Sequence, residues 1–482
     1  MASFKTDESF LKKISIGAIG TQKVFSVLKQ QGHEPIELER GSMNYKIWKK
    51  IKIKRIRVPD ILCVDNGIRI ESRAKTKLEI SMSHSASDPD RGWDYGMKEN
   101  DYVAIVICEK HGEEPIDWTA DNLVQFISIK DLRDAEKQQK VVYVKPKGAE
   151  EGFEARINWP ACIATSAGKI IEIGKTIKYQ STKGRKKWVG LAKGGKQLSP
   201  LVKVGDTVKP NQILASVVNV AQKIPSTKVD SNFFLTNLSS IILSERYAAA
   251  KALSYFNEKR VIVSLSNKLD DNDEHIYVKL EAAASLCRLG ENKGYEFIEK
   301  CLTNNYLQNI LEAVIVLAEI KTNIANKILS NILLDESFDP EIRAGAAWGL
   351  GEQQNKLALS ALVSSFNSID ENIKIEATRA LGKLTTKFSN EILSTFNTAT
   401  PVEMPGIAWA LTKSNSISIE QLIENLRNLD SRHWISYIIG MQGEEKYIAE
   451  IEKLKNKDPE VYFAVTLLWK ITTSWINGLK EY

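Results

Sequence analysis

The 482-residue chain has only five cysteines, Cys63, Cys108, Cys162, Cys287 and Cys301, an odd number, widely spaced and without a CxxC pair. That scarcity excludes a disulfide framework and a structural zinc site, and points to reduced thiols in a cytoplasmic protein. The opening residues MASFKTDESFLKK lack the apolar core of a signal peptide. No apolar run approaches the roughly 18 residues of a membrane span, so no membrane partner is expected. Also missing are a phosphate-cradling glycine loop, a dinucleotide fingerprint and a Ser-His-Asp order. A formal net charge of +6 is small for this length and does no more than leave anionic partners unrepelled. What is present is ordinary for a globular protein, with 43% hydrophobic and 26% charged residues. The length calls for several domains, because single cores stop growing at roughly 250–300 residues.

The C-terminal half, residues 229–482, repeats itself. A helix rich in small residues recurs as RYAAAKAL ending at Leu253, EAAASL at Leu286, EAVIVL at Leu317, AGAAWGL at Leu350, EATRAL at Leu381 and GIAWAL at Leu411, with looser copies at Ile439 and Leu468. Successive spacings are 33, 31, 33, 31, 30, 28 and 29, the signature of a helical solenoid whose helix pairs bury their apolar faces on their neighbours. Ala and Gly on one face let helices approach closely while Leu and Ile fill the core. Asp339-Pro340 and Asp458-Pro459 mark helix starts. The pattern resembles HEAT repeats and their bilin-lyase-like relatives, which implies a surface for a protein partner. Some HEAT-like proteins are iron hydroxylases with paired His-Glu steps; here the His-Glu step is His33-Glu34, outside the repeats, and the solenoid holds His275 and His433. Trp348, Trp409, Trp434 and Trp469 fall on the register helices, as core packing or as a stacking surface.

Residues 136–228 change to short β-branched runs with many glycines, a β-rich middle module. VKVGDTVKPNQILASV resembles the turn-and-strand unit of barrel-sandwich hybrid or biotinyl-like domains, without the Met-Lys-Met step that carries biotin. From Lys178 to Lys196 there are seven cations and no acid, with Tyr179 and Trp188 interleaved. Cations for phosphate and flat rings for bases suit nucleic acid, and Lys183, Arg185, Lys186, Lys187 and Trp188 are the candidate contacts.

Residues 1–135 mix a helix around Gln22–Gln31, strands, a short helical stretch near Trp93 and a strand ending at Cys108, a small α/β domain. In IRIESRAK, alternation puts Ile68, Ile70 and Ser72 on one face and Arg69, Glu71, Arg73 and Lys75 on the other. A hairpin through Asp65-Asn66-Gly67 folds this strand onto Ile61–Val64 and makes Asp60 and Glu71 neighbours. Two carboxylates beside cations suit Mg²⁺ or Mn²⁺, and a metal-bound water could attack a phosphodiester. Upstream, Lys46 to Arg57 holds seven cations and no acid; Lys49, Lys50, Lys52, Lys54, Arg55 and Arg57 would grip the phosphate backbone. Ser81, Ser83, His84, Asp88 and Arg91 follow and could line the same cleft, with His84 either an acid–base group or a strand-end residue.

Pro59-Asp60, Glu71 and the cations after it resemble the PD-(D/E)xK nuclease superfamily over roughly residues 10–130. The family's lysine place holds Arg73, and the nearest lysine on that face is Lys75. The resemblance implies a restriction-endonuclease-like fold, Asp60 and Glu71 as metal ligands, Lys75 or Arg73 as the water-orienting cation, and Glu39, or Glu37, as a further acid. The expectation is a multidomain α+β protein acting as a metal-dependent nuclease on DNA rather than RNA, and by analogy a component of antiphage defence or DNA processing. The alternative is a non-catalytic nucleic-acid-binding adaptor that assembles a complex through its repeats, and a third reading is a pure scaffold. Oligomeric state stays open, although two active sites, as in a homo-oligomer, would be needed for simultaneous cutting of both strands.

Overall fold

The computed structural model describes residues 7–44, 51, 56–85, 88, 91–114, 116–144, 155–414, 417, 421–422, 426, 431–442, 445–467 and 470. The chain divides into two compact units, residues 1–47 with 54–279, and residues 48–53 with 280–482.

The first unit opens with helix α1 (Asp7–Gln30), which begins well before the helix expected at Gln22. Strand β1 (Pro35–Glu37) is followed by a hairpin of β2 (Ile61–Cys63) and β3 (Arg69–Lys75). The turn is the Asp65-Asn66-Gly67 step. Gly67 takes φ +72, a conformation costly for any residue with a Cβ, and its N–H donates to Cys63 O at 2.8 Å. Strand β4 (Ile80–His84) leaves this sheet, and β5 (Tyr102–Lys110) then joins β3 in parallel, Ile70 opposite Tyr102 and Lys75 opposite Ile107. The sheet order is β1-β2-β3-β5, with β6 (Trp118–Ala120) and β7 (Gln125–Ser128) paired to β5.

A parallel strand is usually covered on both faces and reads as a continuous apolar run, as YVAIVIC does. On one face Ala104 and Val106 pack with Val24 and Leu28 of α1. On the other, Val103, Ile105 and Ile107 pack with Leu132 of helix α2 (Ile129–Lys137) and with Trp159. Trp93 stands edge-on to Trp159 at 5.0 Å and donates from Nε1 to Glu136. The short helical stretch expected near Trp93 is met by a 3-10 turn at Arg91, and Trp93 itself lies in turns closed by Tyr95 N–H to Gly92 O and Met97 N–H to Asp94 O. Gly92 and Gly96 favour turns over helix, so Trp93 reaches the core from a loop.

Strands β8 (Val142–Val144) and β9 (Ala155–Trp159) pair with β4, so sheet structure runs across the expected boundary at residue 136. Beyond them β10 (Ala161–Ile163), β11 (Gly168–Ile173), β12 (Thr176–Ser181), β13 (Lys186–Gly190), β14 (Ala192–Lys193), β15 (Lys196–Gln197), β16 (Ser199–Pro200), β17 (Thr207–Val208) and β18 (Ile213–Ser216) build a half-barrel. Its sheets run β13-β12-β11-β17 and β10-β18-β16 around a core of Ile170, Ile177, Tyr179, Leu198, Val208 and Leu214. The chain then returns to the first sheet, where Ala221 and Phe126 exchange main-chain hydrogen bonds.

Helices dominate the described residues that follow. Asp230 caps α3 (Ser231–Asn237), and α4 (Leu243–Ala252) and α5 (Lys259–Asp270) complete the first unit with the start of α6 (Ile276–Arg288). The second unit continues through α7 (Asn292–Leu302), α8 (Leu307–Glu319), α9 (Asn323–Leu334), α10 (Pro340–Gln353), α11 (Leu359–Ser364), α12 (Glu371–Phe396), α13 (Met404–Leu411), α14 (Arg432–Gln442) and α15 (Glu445–Lys457). Leu253, Leu286, Leu317, Leu350, Leu381 and Leu411 are all fully buried, as the repeat requires. Asp339 caps α10 with Pro340 in the first turn, and Asp458 accepts from Val461 N–H. Leu468 and Trp469 lie outside the described residues. Trp348, Trp409 and Trp434 are half-buried rather than part of the fully buried core, and Lys413 lies 4.7 Å over the Trp409 ring.

A Cβ on Gly20 would stand 2.4 Å from the Ala74 Cβ, whereas one on Gly17 meets nothing within 4 Å. Gly20→Ala is therefore expected to destabilise the first unit by about 1–3 kcal/mol. Gly17→Ala, in an open helical position, should stabilise by up to about 1 kcal/mol. Urea denaturation of both variants checks the α1–β3 contact.

Candidate functional site

The hairpin register places Ile61 opposite Ile70, so the next residues outward, Asp60 and Glu71, are cross-strand neighbours. Asp60 is 8% exposed; its Oδ2 accepts the Ser72 N–H at 2.7 Å. Its main-chain oxygen accepts the N–H groups of Leu38 at 2.7 Å and Glu39 at 3.3 Å, drawing in the segment after β1. Burial first, and then the negative charges of Glu71 and Glu39, hold the Asp60 carboxyl well above the usual carboxylate range, against the opposing Ser72 N–H and Arg73. Of the two upstream acids, Glu39 is the one whose charge reaches Asp60. Glu37 instead accepts from the N–H groups of Gly41 and Met43 and closes its own loop.

The three cations on the outer face of β3 have different surroundings. Arg73 pairs with Glu71, Nη2 to Oε1 at 2.9 Å, and its Nε is buried without an acceptor from the protein. The Lys75 Nζ donates to the Ser81 main-chain oxygen at 2.9 Å and Oγ at 3.1 Å, and stands 3.9 Å from Glu79, which also meets Arg156. Burial pulls the Lys75 ammonium down to about 8. Arg69 leaves the candidate centre: it forms a buried pair with Asp101 and donates to the Ser244 Oγ of α4. Nearby, Lys98 pairs with Glu245 at 2.8 Å, and a cavity of about 430 Å³ opens among Arg69, Asp101, Tyr102, Phe233, Asn237 and Glu245.

Of the residues after β3, Ser81 is brought to Lys75, while Ser83 and Arg91 are exposed. Asp88, Arg91 and Ser85 form a turn through main-chain bonds. His84 is half-buried beside Tyr143, ring centroids 6.0 Å apart, with its Nδ1 unbonded within the protein. The anchoring of Lys75 by Ser81 and Glu79 was not read from the sequence; its one signal was the i, i+4 spacing of Lys75 and Glu79. Among the described residues no three His, Cys, Asp or Glu side chains gather closely enough to enclose a metal ion. Glu39 acts on Asp60 through its charge.

Residues 161–216 hold 11 Lys or Arg against the acids Glu172 and Asp206, while the whole chain is only +6, so the remainder is net acidic. Lys183 and Arg185 flank Gly184 at the exposed tip of the β12–β13 hairpin. Lys186 and Trp188 stand on the solvated face of β13. Lys187 turns the other way, donating to Thr165 Oγ1 at 2.9 Å. Tyr179, expected as an interleaved aromatic, is 1% exposed in the half-barrel core with its hydroxyl bonded to Thr165, because its place on β12 alternates inward. Lys49, Lys50, Lys52, Lys54 and Arg55 lie outside the described residues. Arg57 is exposed, its guanidinium 5.9 Å over the Tyr95 ring. No helix among the described residues is long and apolar enough to cross a membrane.

A family model for HEAT repeats matches residues 326–396. Among solved structures, human deoxyhypusine hydroxylase in complex with glycerol is 16% identical, covering 46% of this chain and 87% of its own at a TM-score of 0.20. An engineered protein is 20% identical over 38% of this chain and 96% of its own, TM-score 0.24. The CpcE–CpcF complex of phycocyanin lyase from a Nostoc species is 19% identical over 42% and 95%, TM-score 0.23. No curated protein matches the sequence. The family match and the buried register leucines give the C-terminal half its HEAT-like repeat character.

Because the Asp60 pKa is raised from the ordinary 3.8, the folded state holds that proton to higher pH than the unfolded chain. Stability from this group is complete below the ordinary value and falls as pH rises through the raised one. Asp60→Asn keeps an oxygen for the Ser72 N–H and removes the titration. In EDTA it should melt above wild type at pH 8, with the gap closing towards pH 4; thermal melts across that range decide.

Proposed function

We propose that this protein binds nucleic acid through its middle module and holds a protein partner on its HEAT-like helices. The carrying observation is the concentration of positive charge in residues 161–216 of a chain that is otherwise net acidic. Such a patch attracts a polyanion and releases its counterions, while stacked helix pairs supply an extended binding surface. Binding of labelled DNA and RNA should weaken steeply between 50 and 200 mM salt. The triple variant Lys183→Gln, Arg185→Gln, Lys186→Gln should flatten the log–log salt slope by about 2–3. Absence of binding at low salt would leave the scaffold reading in its place.

A second reading, metal-dependent cleavage of phosphodiesters, with DNA favoured over RNA, is supported by Asp60 and Glu71. A buried carboxyl beside like charges is an arrangement a divalent cation would relieve, so the residues fit Mg²⁺ or Mn²⁺. Asp60 and Glu71 would hold it, with water in the remaining positions. Such an ion supplies Lewis acidity and a more acidic bound water. Arg73, paired with Glu71, keeps positive charge on the face where a phosphate would lie. Lys75, held by Ser81 and lowered to about 8, can give or take a proton near neutral pH at Nζ.

Plasmid, duplex and single-stranded substrates with Mg²⁺ or Mn²⁺ test this reading. Asp60→Ala and Glu71→Ala should each abolish cutting, and Lys75→Met should reduce it more than Arg73→Lys does. Nucleic-acid binding without cleavage in wild type would leave the adaptor function alone.

A further inference from the structure

Sheet β13-β12-β11-β17 has one face on the half-barrel core and one face in solvent. Tyr179 and Ile177 of β12 point inward, so Lys178 and Gln180 point out. Lys178 lies directly opposite Trp188 and Gln180 opposite Lys186; Lys169 of β11 lies opposite Gln180. Residues directly opposite in an antiparallel pair share a face. Trp188, Lys186, Lys178, Gln180 and Lys169 therefore form one continuous patch, with the Lys178–Glu172 pair as its acidic element.

Trp188 is 71% exposed on the edge strand. Exposing an indole forgoes the apolar burial that stabilises most tryptophans. Nothing in the half-barrel requires it there: its core closes on Tyr179 and the aliphatic residues, with Val189 on the inner side of β13. A duplex buries both faces of its bases in its own stack. An unpaired base leaves its faces free for an aromatic side chain while lysines meet the phosphates on either side.

We infer that this face binds single-stranded nucleic acid, with one base stacked on Trp188 and flanking phosphates met by Lys186, Lys169 and the Lys183–Arg185 tip. The inference rests on the nucleic-acid-binding reading and adds its strand class. The indole provides what duplex cannot use; the lysines serve either form.

The test measures anisotropy of labelled 20-mers, oligo(dT), oligo(U) and a mixed-sequence duplex, with the full-length protein. Trp188→Ala should weaken single-strand binding by roughly tenfold while leaving duplex affinity within twofold, since stacking is worth roughly 1–3 kcal/mol per base. Trp188→Phe should recover most of the loss. Lys186→Gln should lower the salt slope by about one on both strand classes. The exposed position of Trp188 leaves the fold unburdened by its removal, and unchanged melting temperatures confirm this. Equal loss on duplex and single strands, or none on either, overturns the strand-class inference while nucleic-acid binding stands. Failure of wild type to bind any of the three overturns both. Comparing oligo(dT) with oligo(U) separates DNA from RNA.

Discussion

The turn at Asp65-Asn66-Gly67 sets the register on which the candidate centre depends, and several contacts pin it from different parts of the first unit. Asp65 accepts from the Glu34 N–H and meets His33 Nδ1, both at 2.9 Å. The Asn66 side chain accepts from the Ile68 N–H and donates to the Pro225 main-chain oxygen. Phe233 packs so close to Gly67 that an added Cβ would lie 2.4 Å from its ring. A slip of one residue would turn every side chain of β3 over, burying Glu71, Arg73 and Lys75 against α1 and exposing Ile70. Held in register, the hairpin delivers Asp60 to the Ser72 N–H and to Glu71. The His-Glu step at His33-Glu34 thus finds its use in holding a turn.

Asp60 is where local and global demands conflict. Burial and two neighbouring carboxylates oppose its ionisation, and a fold selected for stability alone would not gather them. The conflict is contained by the Ser72 N–H and by Arg73, one of the three cations on the outer face of β3. Those cations divide by their third-dimensional neighbours rather than by their shared strand face: Arg69 by Asp101 and α4, Arg73 by Glu71, Lys75 by Ser81 and Glu79 from the second sheet.

The half-barrel and the helices show a different economy, in which repetition does most of the structural work. The register leucines from Leu253 to Leu411 are buried, and small residues set close helix contacts; a Cβ on Gly351 would stand 2.9 Å from that of Ala380. In β12 of the half-barrel, alternation separates Ile177 and Tyr179 of the core from Lys178 and Gln180 on the outer face. Both arrangements free a surface from any duty to the fold, which is the condition for using it to bind something else.

Periodic and local features were legible in the amino-acid sequence alone: the repeat with its buried leucines, the helix starts at Asp339 and Asp458, the Asn-Gly turn, the two faces of β3 and the crowding of cations after Lys178. Each is written in neighbouring residues or in a constant spacing, so no distant contact is needed to read it. Only tertiary structure decided that Glu39 rather than Glu37 reaches Asp60, that Arg69 serves the α4 contact, that Lys75 is anchored by Ser81, that Trp93 packs from a turn, and that Tyr179 is core while Trp188 faces water. Strand alternation sorts side chains into two sets, but which set meets solvent depends on what the rest of the chain lays against the sheet. That is set by contacts between residues tens to hundreds of positions apart, which no local pattern encodes.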